Sequence, residues 1–87
     1  MSAYDLRLSA KALDWLEKCL DAKLKRRITG AIDGLATNPR PPGCVKLAGE
    51  DGVWRIRVGD YRILYEVDDG RLRVLVIRIA DRKEAYR

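Results

Sequence analysis

The hydrophobic positions change period along the chain, and each change marks an element. Tyr4, Leu6 and Leu8 alternate with Ala3, Asp5 and Arg7, the two-residue period of a half-buried strand. Ser9 then offers an N-cap, and Ala12, Leu13, Trp15, Leu16, Cys19 and Leu20 recur at helical spacing. Asp21 is placed to cap a second helix, with Leu24, Ile28, Ala31, Ile32 and Leu35 as its apolar stripe. Lys23, Lys25, Arg26 and Arg27 fall largely off that stripe and read as a solvated cationic face or as one that helps hold RNA or an acidic partner. Gly30 and Gly34 cost about 1 kcal/mol each relative to alanine inside a helix, and close approach of the first helix is the expected reason for them. Asn38 and Pro39 end the second helix, and Arg40 to Gly43, RPPG, makes a stiff connection.

From Val45 the period returns to two. Val45 to Leu47 reads as a short strand or a strand-like loop, and Val53 to Val58, Tyr61 to Val67 and Leu72 to Ile79 as three longer strands. Gly59-Asp60 and Asp69-Gly70 are both suitable for two-residue hairpin turns. With those turns Val58 faces Tyr61, Ile56 faces Ile63 and Trp54 faces Tyr65. In the second hairpin Val67 meets Leu72, Tyr65 meets Val74 and Ile63 meets Val76. Both hairpins put the same residues of the middle strand on one aromatic and aliphatic face, where the helices should dock. The expected fold is a single α+β domain over residues 1–87: an N-terminal strand, a two-helix hairpin and an antiparallel β-meander with both helices on one sheet face.

The other face of the meander carries Arg55, Arg57, Arg62, Leu64, Glu66, Arg73, Leu75 and Ile77. Glu66 and Arg73 are directly opposed in this register and can pair. Arg57 and Arg62 are also opposed, and like charges across a ladder destabilise it. A sheet built only for stability gains nothing from that choice. Surface arginines of a basic protein would explain the residues singly, but the opposed pair on a shared face points to an anion site. The adjoining apolar floor of Leu64, Leu75 and Ile77 is partly dry, so a bound phosphate interacts there more strongly than in water.

Charge supports an acidic partner. Eighteen Lys and Arg against thirteen Asp and Glu leave +5, as expected of a chain that meets nucleic acid or an acidic protein. The chain contains no histidine, which excludes Ser-His-Asp and Cys-His arrangements and paired-histidine acid–base chemistry. Cys19 and Cys44 form no CxxC pair, so two reduced thiols are expected and a metal centre is not. No apolar run approaches the roughly 20 residues that span a bilayer. The N-terminal MSAYDLRLSAKAL lacks the basic start and apolar stretch of a signal peptide, which points to a cytoplasmic address.

One family joins these features. Asn38-Pro39, Lys46-Leu47, Gly49, the run from Trp54 to Arg62 (WRIRVGDYR), Asp81-Arg82 and Tyr86 together resemble the RelE/ParE superfamily of toxins, and the RelE-like branch in particular. The likeness spans nearly the whole chain, with WRIRVGDYRILYEV its specific part. The resemblance implies a fold similar to small microbial ribonucleases. It also implies a type II toxin that cuts mRNA in the ribosomal A site by 2′-hydroxyl attack, without metal or cofactor, until a RelB-like antitoxin wraps it.

By position, the resemblance assigns Arg55, Arg57, Arg62, Arg82 and Tyr86 to catalysis and Lys46, Arg73 and Lys83 to RNA binding. Arg57, Arg62 and Arg82 would hold the scissile phosphate, Arg55 a flanking phosphate or the transition state, and Tyr86 would stack on a base or move a proton. This chain departs from relatives that carry lysine at the Arg55 and Arg57 positions and histidine where Asp81 stands. An arginine makes a poor general base, so the residues leave the proton acceptor open. A ParE-like toxin that binds DNA gyrase and a non-catalytic RNA- or ribosome-binding module are the rival readings. The combination of Arg55, Arg57, Arg62, Arg82 and Tyr86 favours the nuclease.

Overall fold

The computed structural model describes residues 3–49 and 52–81. Its elements run β1 (Asp5–Leu8), α1 (Ala10–Lys18), α2 (Ala22–Thr37), β2 (Val45–Lys46), β3 (Val53–Val58), β4 (Tyr61–Asp68) and β5 (Arg73–Asp81). One five-stranded sheet has the order β1-β5-β4-β3-β2. β1 pairs with β5 in parallel and every other pair is antiparallel, so the sheet is mixed. Among the described residues no helix is long and apolar enough to cross a membrane.

Both helix starts follow from their caps. The Ser9 hydroxyl accepts from the Ala12 amide at 3.1 Å, and the Asp21 carboxylate accepts from the Lys23 and Leu24 amides at 3.1 Å each. Ile28, Ile32 and Leu35 of the α2 stripe are buried against the sheet, with Leu24 and Ala31 at its margins. They meet Ile56, Ile63, Tyr65, Val67, Val74, Val76 and Ile79, which is the aromatic and aliphatic sheet face expected from the pattern. Trp15 of α1 meets Tyr61 of β4 edge to face, with ring centroids 5.5 Å apart.

Three local expectations fail. α1 stops at Lys18, because Cys19 turns extended to deliver Asp21 as the next cap. Leu20, assigned to the apolar face of α1, is 98% exposed, and Leu13 is 47% exposed. Gly30 and Gly34 are not approached by α1: a Cβ at either position would meet nothing within 4 Å. The second hairpin does not close on two residues. Asp68 opposes Arg73, leaving Asp69 to Leu72 as the loop. Asp68 bends its carboxylate back to the Arg71 amide at 3.1 Å, and Leu72 takes a left-handed φ of 51°. This moves the register by two residues, so Tyr65 and Val67 still share a face with Val74 and Val76. Glu66 now opposes Leu75 instead of Arg73, which is drawn to Asp68 in register and to the Asp5 carboxylate 3.9 Å away.

A second irregularity lies inside this hairpin. Tyr65 opposes Val76 but Leu64 opposes Arg78, which makes Ile77 an extra residue on β5. The Ser9 hydroxyl donates to the Ile77 carbonyl while capping α1. One side chain therefore serves both a helix start and a β-bulge.

The loop between α2 and β2 is tied to the sheet in two places. The buried Tyr65 hydroxyl donates to the Pro39 carbonyl at 2.7 Å. Arg40 grips both Asp69 oxygens, at 3.1 and 2.6 Å, and lies 5.2 Å from the centre of the Trp54 ring. Tyr4 donates a further hydrogen bond to Asp69 at 2.7 Å. The Arg40 and Tyr4 hydrogen bonds hold the Asp69 carboxyl well below its ordinary 3.8, at about 2.

Ser9→Ala should lower stability in urea unfolding by about 2 kcal/mol, because both a cap and a partner of a bulge carbonyl are lost. Gly30→Ala should instead raise it by about 0.5–1 kcal/mol, since the site is open and helical. Asp69 binds a proton less readily folded than unfolded, so its contribution is complete above about pH 4 and lost as pH falls toward about 2. Acid titration of Asp69→Asn, followed by circular dichroism, should lack that portion of the wild-type decline.

Candidate nucleic-acid interface

β3 and β4 meet across the Gly59-Asp60 turn in the register read from the sequence, with Val58 opposite Tyr61 and Arg57 opposite Arg62. Gly59 supplies the left-handed φ of 60° that the turn requires. The Val53 carbonyl accepts from the Leu47 amide on the β2 side, while the Gly52 carbonyl accepts from Val67 on the β4 side. Backbone direction alternates along a strand, so the peptide groups of Arg55 and Arg57 point away from β4. Arg57 and Arg62 are thus a non-hydrogen-bonded pair, the closer kind, with Cα atoms about 4.5 Å apart.

Directly opposed residues share a face, so the register sorts the site. One row across β3, β4 and β5 is Arg55, Leu64 and Arg78; the next is Arg57, Arg62 and Ala80. Both lie on the face away from the helices. Arg78 was not among the residues expected there. Strict alternation along β5 puts it on the core face beside Val76, and the bulge at Ile77 turns it over. A charge at a core position of an otherwise apolar strand was the available signal.

The guanidinium groups differ in setting. Arg57 is exposed, and its Nε donates to the Gly59 carbonyl at 2.9 Å, which fixes the plane of the group and leaves both terminal nitrogens for a ligand. Arg55 and Arg78 are half-buried. Arg55, Arg57 and Arg78 have no carboxylate partner among the described residues. Arg62 is only 7% exposed, although it lies on the face away from the helices. A charge so little exposed to water interacts more strongly than one in bulk solvent.

The remaining expected residues do not gather here. Lys46 opposes Trp54 and so shares the helix-side face, although it is exposed at the sheet edge. Arg73 lies on the arginine face but at its far side, beside Asp5 of β1. Asp81 opposes Tyr61 at the end of β5. Arg82, Lys83 and Tyr86 lie outside the described residues. Among the described residues no group of three or more His, Cys, Asp or Glu is placed to hold a metal ion.

A cleft of about 530 Å³ opens at the edge of this face. Its walls are Ala31 and Gly34 of α2, the Pro41–Gly43 stretch and Ile56–Val58 of β3. Arg57 belongs to both the cleft and the arginine face.

Both the sequence and the fold have known relatives. Residues 6–86 match the family described as the ParE toxin of type II toxin–antitoxin systems, parDE. The Toxin RelE of Mycobacterium tuberculosis (strain ATCC 25618 / H37Rv) is 31% identical over 84 residues, covering 97% of this chain and 87% of that protein. The fold is similar to the toxin–antitoxin crystal structure of intact E. coli RelBE, with a TM-score of 0.77 and 26% identity over 91% of this chain and 96% of that one. It is equally similar to the archaeal RelE–RelB complex of Pyrococcus horikoshii OT3, with a TM-score of 0.78 and 25% identity over 92% and 96% of the two chains. The chain belongs to the ParE toxin family of type II toxin–antitoxin systems, within the RelE/ParE superfamily.

Proposed function

We propose that this toxin is an mRNA endoribonuclease that acts in the ribosomal A site and is neutralised by a RelB-like antitoxin. The observation that carries the reading is the row pair Arg55–Leu64–Arg78 and Arg57–Arg62–Ala80, which concentrates guanidinium groups around an opposed like-charge pair. An anion with several oxygens suits a cluster of guanidinium groups, each able to give it more than one hydrogen bond. The RelE-named relative, 31% identical, favours RNA as that anion.

In such a cleavage the 2′-oxygen attacks the adjacent phosphorus, and its proton passes to a base. The new O–P bond closes a 2′,3′-cyclic phosphate as the P–O5′ bond breaks, and the 5′-oxygen leaves with a proton. Charge gathers on the non-bridging oxygens, and fixed guanidinium groups aimed there stabilise it without reorganising. Arg57, whose Nε is held by the Gly59 carbonyl, presents its terminal nitrogens for a bidentate contact. Arg62 supplies a nearly buried charge from the opposed strand. Arg55 and Arg78 flank the pair and suit the neighbouring phosphates. Arg82 and Tyr86 keep the phosphate and base or proton-transfer roles that the resemblance implies.

A second reading has its own observation. The matching family description is that of the ParE toxin, which favours the rival in which the toxin binds DNA gyrase. The two separate in one experiment. Purified toxin freed of antitoxin should cut mRNA on programmed ribosomes and leave gyrase supercoiling unchanged. Arg57→Ala should cut about 100-fold more slowly or worse, the loss typical of removing one transition-state donor, with its thermal melt unchanged because Arg57 is exposed. Arg62→Ala should lose cutting too, and its melt reports how far this nearly buried side chain also supports the sheet. Intact ribosome-bound mRNA alongside inhibited gyrase would reverse the assignment.

A further inference from the structure

We infer that Glu66 is a base-reading residue of the arginine face, accepting from the Watson–Crick edge of a guanine beside the cut. This role rests on the nuclease reading and adds the base that the site prefers. Glu66 shares its face of β4 with Arg62 and Leu64. Its ladder partners are Val53 of β3 and Leu75 of β5, neither of which can hold a carboxylate. The cation expected opposite it, Arg73, stands against Asp68 and lies 3.9 Å from the Asp5 carboxylate. Glu66 is exposed, and among the described residues it has no ion pair. Asp5 and Asp68, further along the same face, are both committed, to Arg7 and to the Arg71 amide.

A carboxylate left over on a face of guanidinium groups has a specific consequence. Arg55, Arg57 and Arg78 attract the phosphates of an RNA strand, whereas Glu66 repels them. What suits Glu66 is a hydrogen-bond donor, and the bases of a single strand carry donors on their exposed edges. Four residues of β4 separate Arg62 from Glu66, about 13 Å of strand at about 3.3 Å per residue. The carboxylate is therefore too far along to serve the phosphate held by Arg62, and within reach of the base of an adjoining nucleotide. Half-buried Leu64 and Leu75 beside it offer that base an apolar surface.

The pattern of donors selects the base. Guanine alone presents two adjacent donors on its Watson–Crick edge, N1–H and the 2-amino group, which match the two oxygens of a carboxylate. Adenine and cytosine set a ring-nitrogen acceptor beside their single amino group, and uracil places its N–H between two carbonyls. Each of these three turns an acceptor toward Glu66, which has no proton to give while ionised.

The test uses programmed ribosomes and messages that differ by one base at each position flanking the cut. At one of those positions wild-type toxin should cut the guanine message about tenfold or more faster than the adenine message, by kcat/KM, the discrimination of a bidentate pair. Glu66→Gln, isosteric at an exposed position, should melt as wild type, cut the adenine message at least as fast, and lose the guanine preference. Its amide sets a donor against the 2-amino group. Inosine in place of guanosine removes that amino group alone. It should slow the wild type about tenfold, the loss of one hydrogen bond to a charged acceptor, and leave Glu66→Ala unaffected. An inosine message cut as fast as the guanine one, or a guanine preference kept by Glu66→Ala, would overturn the proposal. So would equal cutting of all four messages, or a wild-type preference for another base. Toxin that cuts no message would remove the nuclease reading and the base reader with it, whereas cutting without a guanine preference removes the reader alone.

Discussion

The hydroxyl of Ser9 joins the helical layer to the sheet at the point where the sheet breaks its own register. It caps α1 through the Ala12 amide and holds the carbonyl of Ile77, the extra residue of β5. Everything on β5 beyond that carbonyl is turned over relative to what precedes it. Val74 and Val76 face the helices before the bulge and Ile79 after it, while Arg78 and Ala80 come to the opposite face. Without the extra residue Arg78 would be driven into the core and Ile79 out of it, so core and cationic face depend on the same local irregularity.

The cationic face shows how a small domain holds charges that repel. Arg57 and Arg62 oppose each other on a hairpin whose other face, Ile56, Ile63 and Tyr65, is buried against α2. Burial of an aromatic and branched face contributes several kcal/mol, whereas like-charge repulsion across a ladder costs roughly 1 kcal/mol or less. The core therefore holds the hairpin together against that repulsion. Arg62, nearly buried, cannot swing away from its neighbour as a surface arginine does.

A third device fixes the chain between α2 and β2. Asp69 collects Arg40 and Tyr4, Arg40 also covers Trp54, and Tyr65 reaches through the core to Pro39. These contacts join the start of β1, the connection after α2, β3 and the β4–β5 loop. The same contacts explain that loop's length: Asp69 is committed to Arg40, and Asp68 closes the turn on Arg71 in its place. A two-residue turn at Asp69-Gly70 would have had to release both carboxylates.

Local signals were legible because they act over a few residues. The caps at Ser9 and Asp21, the α2 stripe, the Gly59-Asp60 hairpin and the opposition of Arg57 and Arg62 all follow from periods and turn chemistry in the sequence. Leu13 and Leu20 were misplaced because helical periodicity does not record where a helix stops, and α1 ends at Lys18 to release the next cap. Gly30 and Gly34 suggested a close helix contact, whereas the space beside them is open because the Pro41–Gly43 wall stands off from α2. The sequence by itself determined the elements, the faces of β3 and β4, and the arginines that oppose each other there. Only the tertiary structure decided that Arg78 joins them and that Lys46 and Arg73 do not. Those outcomes depend on the Ile77 bulge, on the parallel pairing of β1 with β5 and on the register of β2. Each is set by contacts between segments distant in the chain, which the period of hydrophobic residues within one segment does not encode.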